Sequence, residues 1–389
     1  MSGTVDYVVV VNLLPQDATK AEKLFVLDAV HESKQTILQS ADDAKRLVGP
    51  GKPGSKVVVW DAARWPGDIV AYLGVSVELK SLSTKPPVPP VPVVPRLQRP
   101  TSMGGVHISF GSRNGYHDWL VNCNRSVMVK SFNDFGALRE AKTVNPRTIT
   151  VMRVRPEKID EDTPPENWQW DLSRTRQIAR DWMAECYLIL DRNERKWFDF
   201  VEFINEPDPA DAPAMERAAA FVQYCMEDAE AHGYKTAIWA WTAGLPRTPR
   251  IKPGEFAQME ATLETLKWAA EHGHALAVHE GSVDPERRMI RQAADDGTAL
   301  RYRLTAQMLR EKGWPMPHVV ITEAYQESGY RNPDWTDWKW YLSELAKDDY
   351  VLGCAWFTLG DWSFGEDNVN IQGQLNGFAQ AIAGLPEIA

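Results

Sequence analysis

Phe198-Asp199-Phe200-Val201-Glu202-Phe203-Ile204-Asn205-Glu206-Pro207 alternates like a strand and then stops at a carboxylate. The proline cannot continue a hydrogen-bonded ladder, so Asn205 and Glu206 are delivered to the rim of a sheet. His318-Val319-Val320-Ile321-Thr322 runs in the same way into Glu323. Around these two segments, short apolar runs alternate with helical periods from Gly105 onward. Strands are expected at 105–110, 126–131, 148–154, 198–204, 236–241, 275–279, 319–322 and 353–358. Helices are expected at 116–121, 136–143, 173–195, 213–231, 255–272, 298–312, 336–346 and 374–383. Eight β-then-α units predict an α/β fold, a (β/α)8 TIM barrel, and the near-continuous apolar runs suit strands covered on both faces.

Upstream of the barrel, prolines 86, 87, 89, 90, 92, 95 and 100 alternate mainly with valine. This composition predicts a semi-rigid extended linker over 86–102. It separates a small α/β N-terminal domain (1–85) of unassigned role from the barrel (103–389). The N-terminal stretch has apolar runs at 7–14 and 57–60 and helical patterns at 21–38, 42–48 and 66–73. Strands separated by helices are expected to pair in parallel. No glycine-rich turn follows the first run, where Leu14-Pro15-Gln16-Asp17 stands, which argues against a nucleotide-binding role.

The chain of 389 residues is 44% hydrophobic and 25% charged, enough to bury a large core. A formal net charge of -10 without a basic run argues against a nucleic-acid partner. Cys123, Cys186, Cys225 and Cys354 are too scattered for a zinc-type cluster or a dense disulfide framework and read as separate thiols. No segment is long and apolar enough to suggest a membrane span, and no cationic-then-apolar leader opens the chain as written. This fits a cytoplasmic protein, or an exported one whose leader has been removed. Oligomeric state is not readable.

The rim collects the chemistry. Alternation puts Glu202, Ile204 and Glu206 on one face of the fourth strand, with Glu202 inside the barrel. A buried carboxylate needs a partner, and Arg153 on the third strand is the candidate; Arg153 can alternatively steady an ionised carboxylate in the centre of the site. Glu280 and Glu327 compete as rim acids, while His107 and Lys130 are candidates for bonding hydroxyl groups. Sixteen tryptophans add flat apolar faces, with Trp239, Trp241, Trp335, Trp338, Trp356 and Trp362 near strand ends and rim loops. Trp182, Trp197, Trp268 and Trp340 read instead as packing residues.

In these features the barrel resembles the clan A superfamily of retaining glycoside hydrolases, cellulase- or mannanase-like. Asn205-Glu206-Pro207 matches that clan's Asn-Glu-Pro signature after strand four, and Glu323 matches its strand-seven glutamate. The resemblance implies Glu206 as general acid/base, Glu323 as nucleophile and Asn205 as a partner of the sugar 2-hydroxyl. Glu202, four residues before Glu206, is similar to a buried glutamate of cellulase-like members. The pattern further implies an aromatic sugar platform after strand eight, Trp356 or Trp362, and a strand-six residue bonding the nucleophile, for which His279 is the match.

The resulting expectation is hydrolysis of O-glycosidic bonds in a β-linked oligo- or polysaccharide by double displacement, endo-acting, with neither metal nor organic cofactor. One carboxyl must be protonated and one ionised; proximity and partial burial are expected to raise Glu206, and Arg153 or His279 to keep Glu323 anionic. Two alternatives stay open: a carbohydrate-binding barrel without turnover, and a cell-wall amino-sugar hydrolase.

Overall fold

The computed structural model describes residues 97–109, 113–156, 165–190, 194–247, 257–282, 289, 297–326, 333–360 and 370–388, with the backbone of short strands elsewhere. The chain divides into two units, Met1–Val93 and Val94–Ala389.

In the second unit eight parallel strands occur in chain order: β1 (Gly105–Ile108), β2 (Met128–Phe132), β3 (Ile149–Arg153), β4 (Phe200–Glu202), β5 (Ala237–Trp241), β6 (Ala275–Ser282), β7 (His318–Gln326) and β8 (Val351–Leu359). Each pairs with its sequence neighbour, and β8 pairs with β1. A bridge between Val201 and Thr236, with Val201 N–H donating to Lys235 O at 2.8 Å, joins β4 to β5 and closes the (β/α)8 barrel. Among the described residues eight α-helices accompany the strands: α1 (Tyr116–Cys123), α2 (Phe135–Val144), α3 (Thr175–Ile189), α4 (Ala212–Ala231), α5 (Gln258–His272), α6 (Tyr302–Glu311), α7 (Trp335–Ala346) and α8 (Leu375–Ala383).

Strand alternation sorts the core into two layers. One cluster fills the barrel interior with Met128, Ile149, Val151, Phe200, Ala275, Ala277, Val320 and Leu352, against which Leu97 packs. The larger cluster, including Val129, Met152 and Val201, lies between strands and helices. Gly105 is required where β1 meets β2, because a Cβ there would lie 1.6 Å from Met128 O. The four cysteines are buried free thiols. None of the described helices is long and apolar enough to cross a membrane.

Two boundaries differ from expectation. The end of the proline-rich stretch belongs to the barrel unit: the Arg99 guanidinium donates to the carbonyls of Ala346, Asp348 and Val351 at 3.2, 3.1 and 3.1 Å. In the N-terminal unit, Val8–Val11, Thr36–Leu38, Lys56–Trp60 and Val77–Lys80 form a four-stranded sheet, with the second of these outermost beside the first. All its pairings are parallel. Thr36–Leu38 is therefore a strand although the helical pattern of the sequence runs to Leu38, because β-branched Thr36 and Ile37 suit a sheet. The helices expected at 42–48 and 66–73 lie outside the described residues.

Candidate active site

Two residues beyond the apolar floor, the same inward alternation carries charge. Met128 is followed inward by Lys130, Val151 by Arg153 and Phe200 by Glu202. His107 stands beside Lys130 in register, and Arg153 beside Glu202. On the other wall, a register shift between Val278 and His279 aligns His279 with Glu323 on β7. Lys130 and Glu202 are 0% exposed, and His107, Arg153, His279 and Glu323 are also buried. Glu206 follows β4 with φ 44°, its N–H donating to Ala240 O at 3.1 Å, and its side chain is 40% exposed. It is therefore the member of the group most open to an entering molecule.

The contacts are asymmetric. Glu323 Oε1 accepts from Lys130 Nζ at 3.0 Å and Arg153 Nη1 at 3.1 Å, with His107 Nδ1 at 3.9 Å. Glu323 Oε2 is 3.7 Å from His279 Nδ1, which donates to Glu206 Oε1 at 2.8 Å. A carboxylate oxygen from each of Glu206 and Glu323 and a His279 nitrogen all lie within 4.8 Å of one another.

Burial pushes the Glu323 carboxyl up, but His279, Lys130 and Arg153 outweigh it and hold the group well below the ordinary carboxylate range. Glu206 departs from expectation. Burial and the Glu323 charge push it up, yet the hydrogen bond and charge of His279, with a bond from Thr242, hold it below its usual value. His107 is lowered well below the ordinary imidazole value by burial and by Lys130, so it is neutral. Neither of its ring nitrogens makes a hydrogen bond among the described residues.

The remaining assignments divide. Glu202 has its close ion pair with Lys130, 2.7 Å from Oε1 to Nζ, and not with the expected Arg153; Arg153 reaches Glu323, the alternative role the sequence allows it. His279 is near Glu323 but bonds Glu206. Asn205 is buried beside Glu206 in sequence. Trp241 is not a rim platform: positive φ at Trp239 (77°) and Ala240 (42°) turns both indoles into the outer core, stacked at 4.7 Å, and leaves Ala240 inside. Trp356 is also excluded as a platform, since alternation in β8 points it at Trp335, Trp338 and Phe378. Trp338 is fully buried in the same core. Trp362 and Glu327 lie outside the described residues. Glu280 faces away from the site, accepting from Arg301 N and the Tyr341 hydroxyl, and burial pushes it up to about 7.

Two members had weak sequence signals. Lys130 was one of several possible hydroxyl partners, although a lysine in Met128-Val129-Lys130-Ser131-Phe132 stands inside the barrel by parity alone. Phe357 is the aromatic residue of β8 nearest the cluster, its ring 5.1 Å from that of His107.

The donors of Glu206, His279 and Glu323 have the spacing of a metal site. Lys130 and Arg153 on Glu323 Oε1 make them a poor fit, because both cations compete for that oxygen and repel a dication.

No family model and no curated protein matches the chain. Among solved structures it is similar to an endo-β-1,4-mannanase from Thermotoga petrophila at 8% identity and TM-score 0.47, covering 73% of this chain and 77% of that one. It is similar to an endo-β-1,3-glucanase of GH128 subgroup II from Pseudomonas viridiflava at 16% identity and TM-score 0.37, covering 73% and 98%. A xyloglucan-specific GH5 endo-β-1,4-glucanase from a metagenomic library matches at 13% identity and TM-score 0.43, covering 70% and 88%. At this distance the barrel rests on the strand order of this chain, and its chemistry on its own side chains.

Proposed function

We propose that the protein is a retaining O-glycoside hydrolase acting on a β-linked glycan, with Glu323 as nucleophile and Glu206 as acid/base. The observation that carries this is the pair of carboxylates, with oxygens within 4.8 Å, one ringed by cations and the other partly open. Retaining enzymes hold their two carboxyl groups about 5–5.5 Å apart, whereas inverting enzymes leave about 6.5–9.5 Å for a water. Glu323 then attacks the anomeric carbon as the glycosidic bond breaks and the leaving oxygen takes a proton from Glu206. Glu206 next removes a proton from water, whose oxygen bonds that carbon as the Glu323 ester breaks. Asn205 is the proposed partner of the sugar 2-hydroxyl. Internal cleavage remains our reading of chain position, and the proposed partner is an oligo- or polysaccharide.

Incubation with 2,4-dinitrophenyl 2-deoxy-2-fluoro-β-glycosides of glucose, mannose and xylose, followed by peptide mass spectrometry, tests the reading. The expected result is one sugar on Glu323. A label on another residue, or none with any of the three, rejects the assignment.

The pH profile should carry the mark of His279. Glu323 is ionised throughout the working range, so the alkaline limb reports loss of the proton Glu206 must deliver. Because His279 holds Glu206 low, His279→Ala leaves burial and the Glu323 charge, both of which raise it. The alkaline limb of kcat/KM is expected to move to higher pH in that variant. A limb that stays in place or moves to lower pH would contradict this coupling.

A further inference from the structure

We infer that Lys130 is a positioning residue whose ammonium, shared between Glu202 and Glu323, fixes Glu323 Oε2 as the attacking oxygen and sets the balance between the two displacement steps. This rests on the glycosidase reading and goes beyond it. The two oxygens of Glu323 have different surroundings: Oε1 faces Lys130 at 3.0 Å and Arg153 at 3.1 Å, while among the described residues Oε2 has only His279, at 3.7 Å, as an ionic neighbour. His279 also bonds Glu206, so Oε2 is on the side where the two carboxylates approach. An oxygen held by two cations is the weaker nucleophile, and it becomes the carbonyl oxygen of the glycosyl ester when Oε2 bonds the sugar.

The same cations act with opposite sign in the two steps. In the first they stabilise the attacking carboxylate and so slow attack. In the second the C1–Oε2 bond breaks, its electron pair returns to the carboxylate, and the charge spreads onto Oε1 beside Lys130, which favours release. Glu202 moderates this. Its Oε1 is 2.7 Å from Lys130 Nζ, both side chains are 0% exposed, and it draws the ammonium away from exclusive contact with Glu323. The buried pair thus works as an adjustable charge behind the nucleophile.

The fluorosugar probe separates the steps, since the inactivation rate reports attack and the reactivation rate reports release. Lys130→Met alone leaves Glu202 buried without its ion pair, so the working variant is Lys130→Met with Glu202→Gln, which removes both charges at nearly constant volume. For this pair, reactivation is expected to slow by about tenfold or more while inactivation is as fast as in wild type or faster, because a charge that holds back attack has gone. Glu202→Gln alone should do the reverse, slowing inactivation by about tenfold and leaving reactivation unslowed, because Lys130 then acts on Glu323 alone. Melting temperatures of all three proteins are recorded. If both rates fall together in both variants, in step with lost stability, Lys130 is structural and the inference is overturned. Wild type that takes no label on Glu323 rejects the glycosidase reading instead, and this inference with it.

Discussion

Glu323→Ala should lose turnover by on the order of 10⁴-fold or more, equivalent to about 5.5 kcal/mol of transition-state stabilisation. No neighbouring group can replace it. Lys130 and Arg153 are cations, His107 is neutral and enclosed, and Glu206 is already engaged with His279. The substitution also unbalances a buried set in which Lys130 and Arg153 face Glu202 and Glu323, leaving one positive charge in excess. Removing one partner from a buried ion-pair network costs about 3–5 kcal/mol, so the variant should also melt lower. That same excess charge gives a second readout. A small anion such as azide should be drawn to the vacated space and attack the sugar from the nucleophile's side, yielding a glycosyl azide of inverted configuration. Wild-type turnover in Glu323→Ala on hydrolysed glycosides would remove Glu323 as nucleophile.

How much of this was legible in the sequence depends on whether each feature is local. Glu206 and Glu323 stand out because a strand pattern ends in, or runs into, an acid, and that pattern spans only a few residues. The eight β/α units follow from the same local periods. Trp241 and Trp356 are buried in the outer core for two different reasons. A bulge at Trp239 and Ala240 changes side-chain parity, and no residue type there announces it. In β8 the parity was available: Trp356 points outward and Phe357 lies against His107. The Lys130–Glu202–Glu323 arrangement joins β2, β4 and β7, so its distances exist only once the barrel closes. The lowered state of Glu206 has a similar origin. Two nearby carboxylates suggest one raised group, but a register shift puts His279 between them.

Glu206→Ala is expected to divide substrates by their leaving group. For an unactivated sugar leaving group, losing the proton donor should lower the rate by about 10²–10⁴-fold. A dinitrophenolate needs no proton to depart, so attack by Glu323 on an activated aryl glycoside should remain near the wild-type rate. The ester should then accumulate, because the base that activates water has gone as well. Azide needs no base and should relieve this block, giving a glycosyl azide of retained configuration, the opposite outcome to Glu323→Ala. Stability should also separate the two variants. Glu206 is 40% exposed and outside the Lys130–Arg153 cluster, so its removal leaves that cluster balanced and costs chiefly its bond to buried His279, about 1–3 kcal/mol, less than the loss in Glu323→Ala. An equal loss of rate for activated and unactivated substrates would mean that Glu206 supports the site without transferring a proton. Azide products of opposite configuration from the two variants would establish that each glutamate acts from its own face of the sugar.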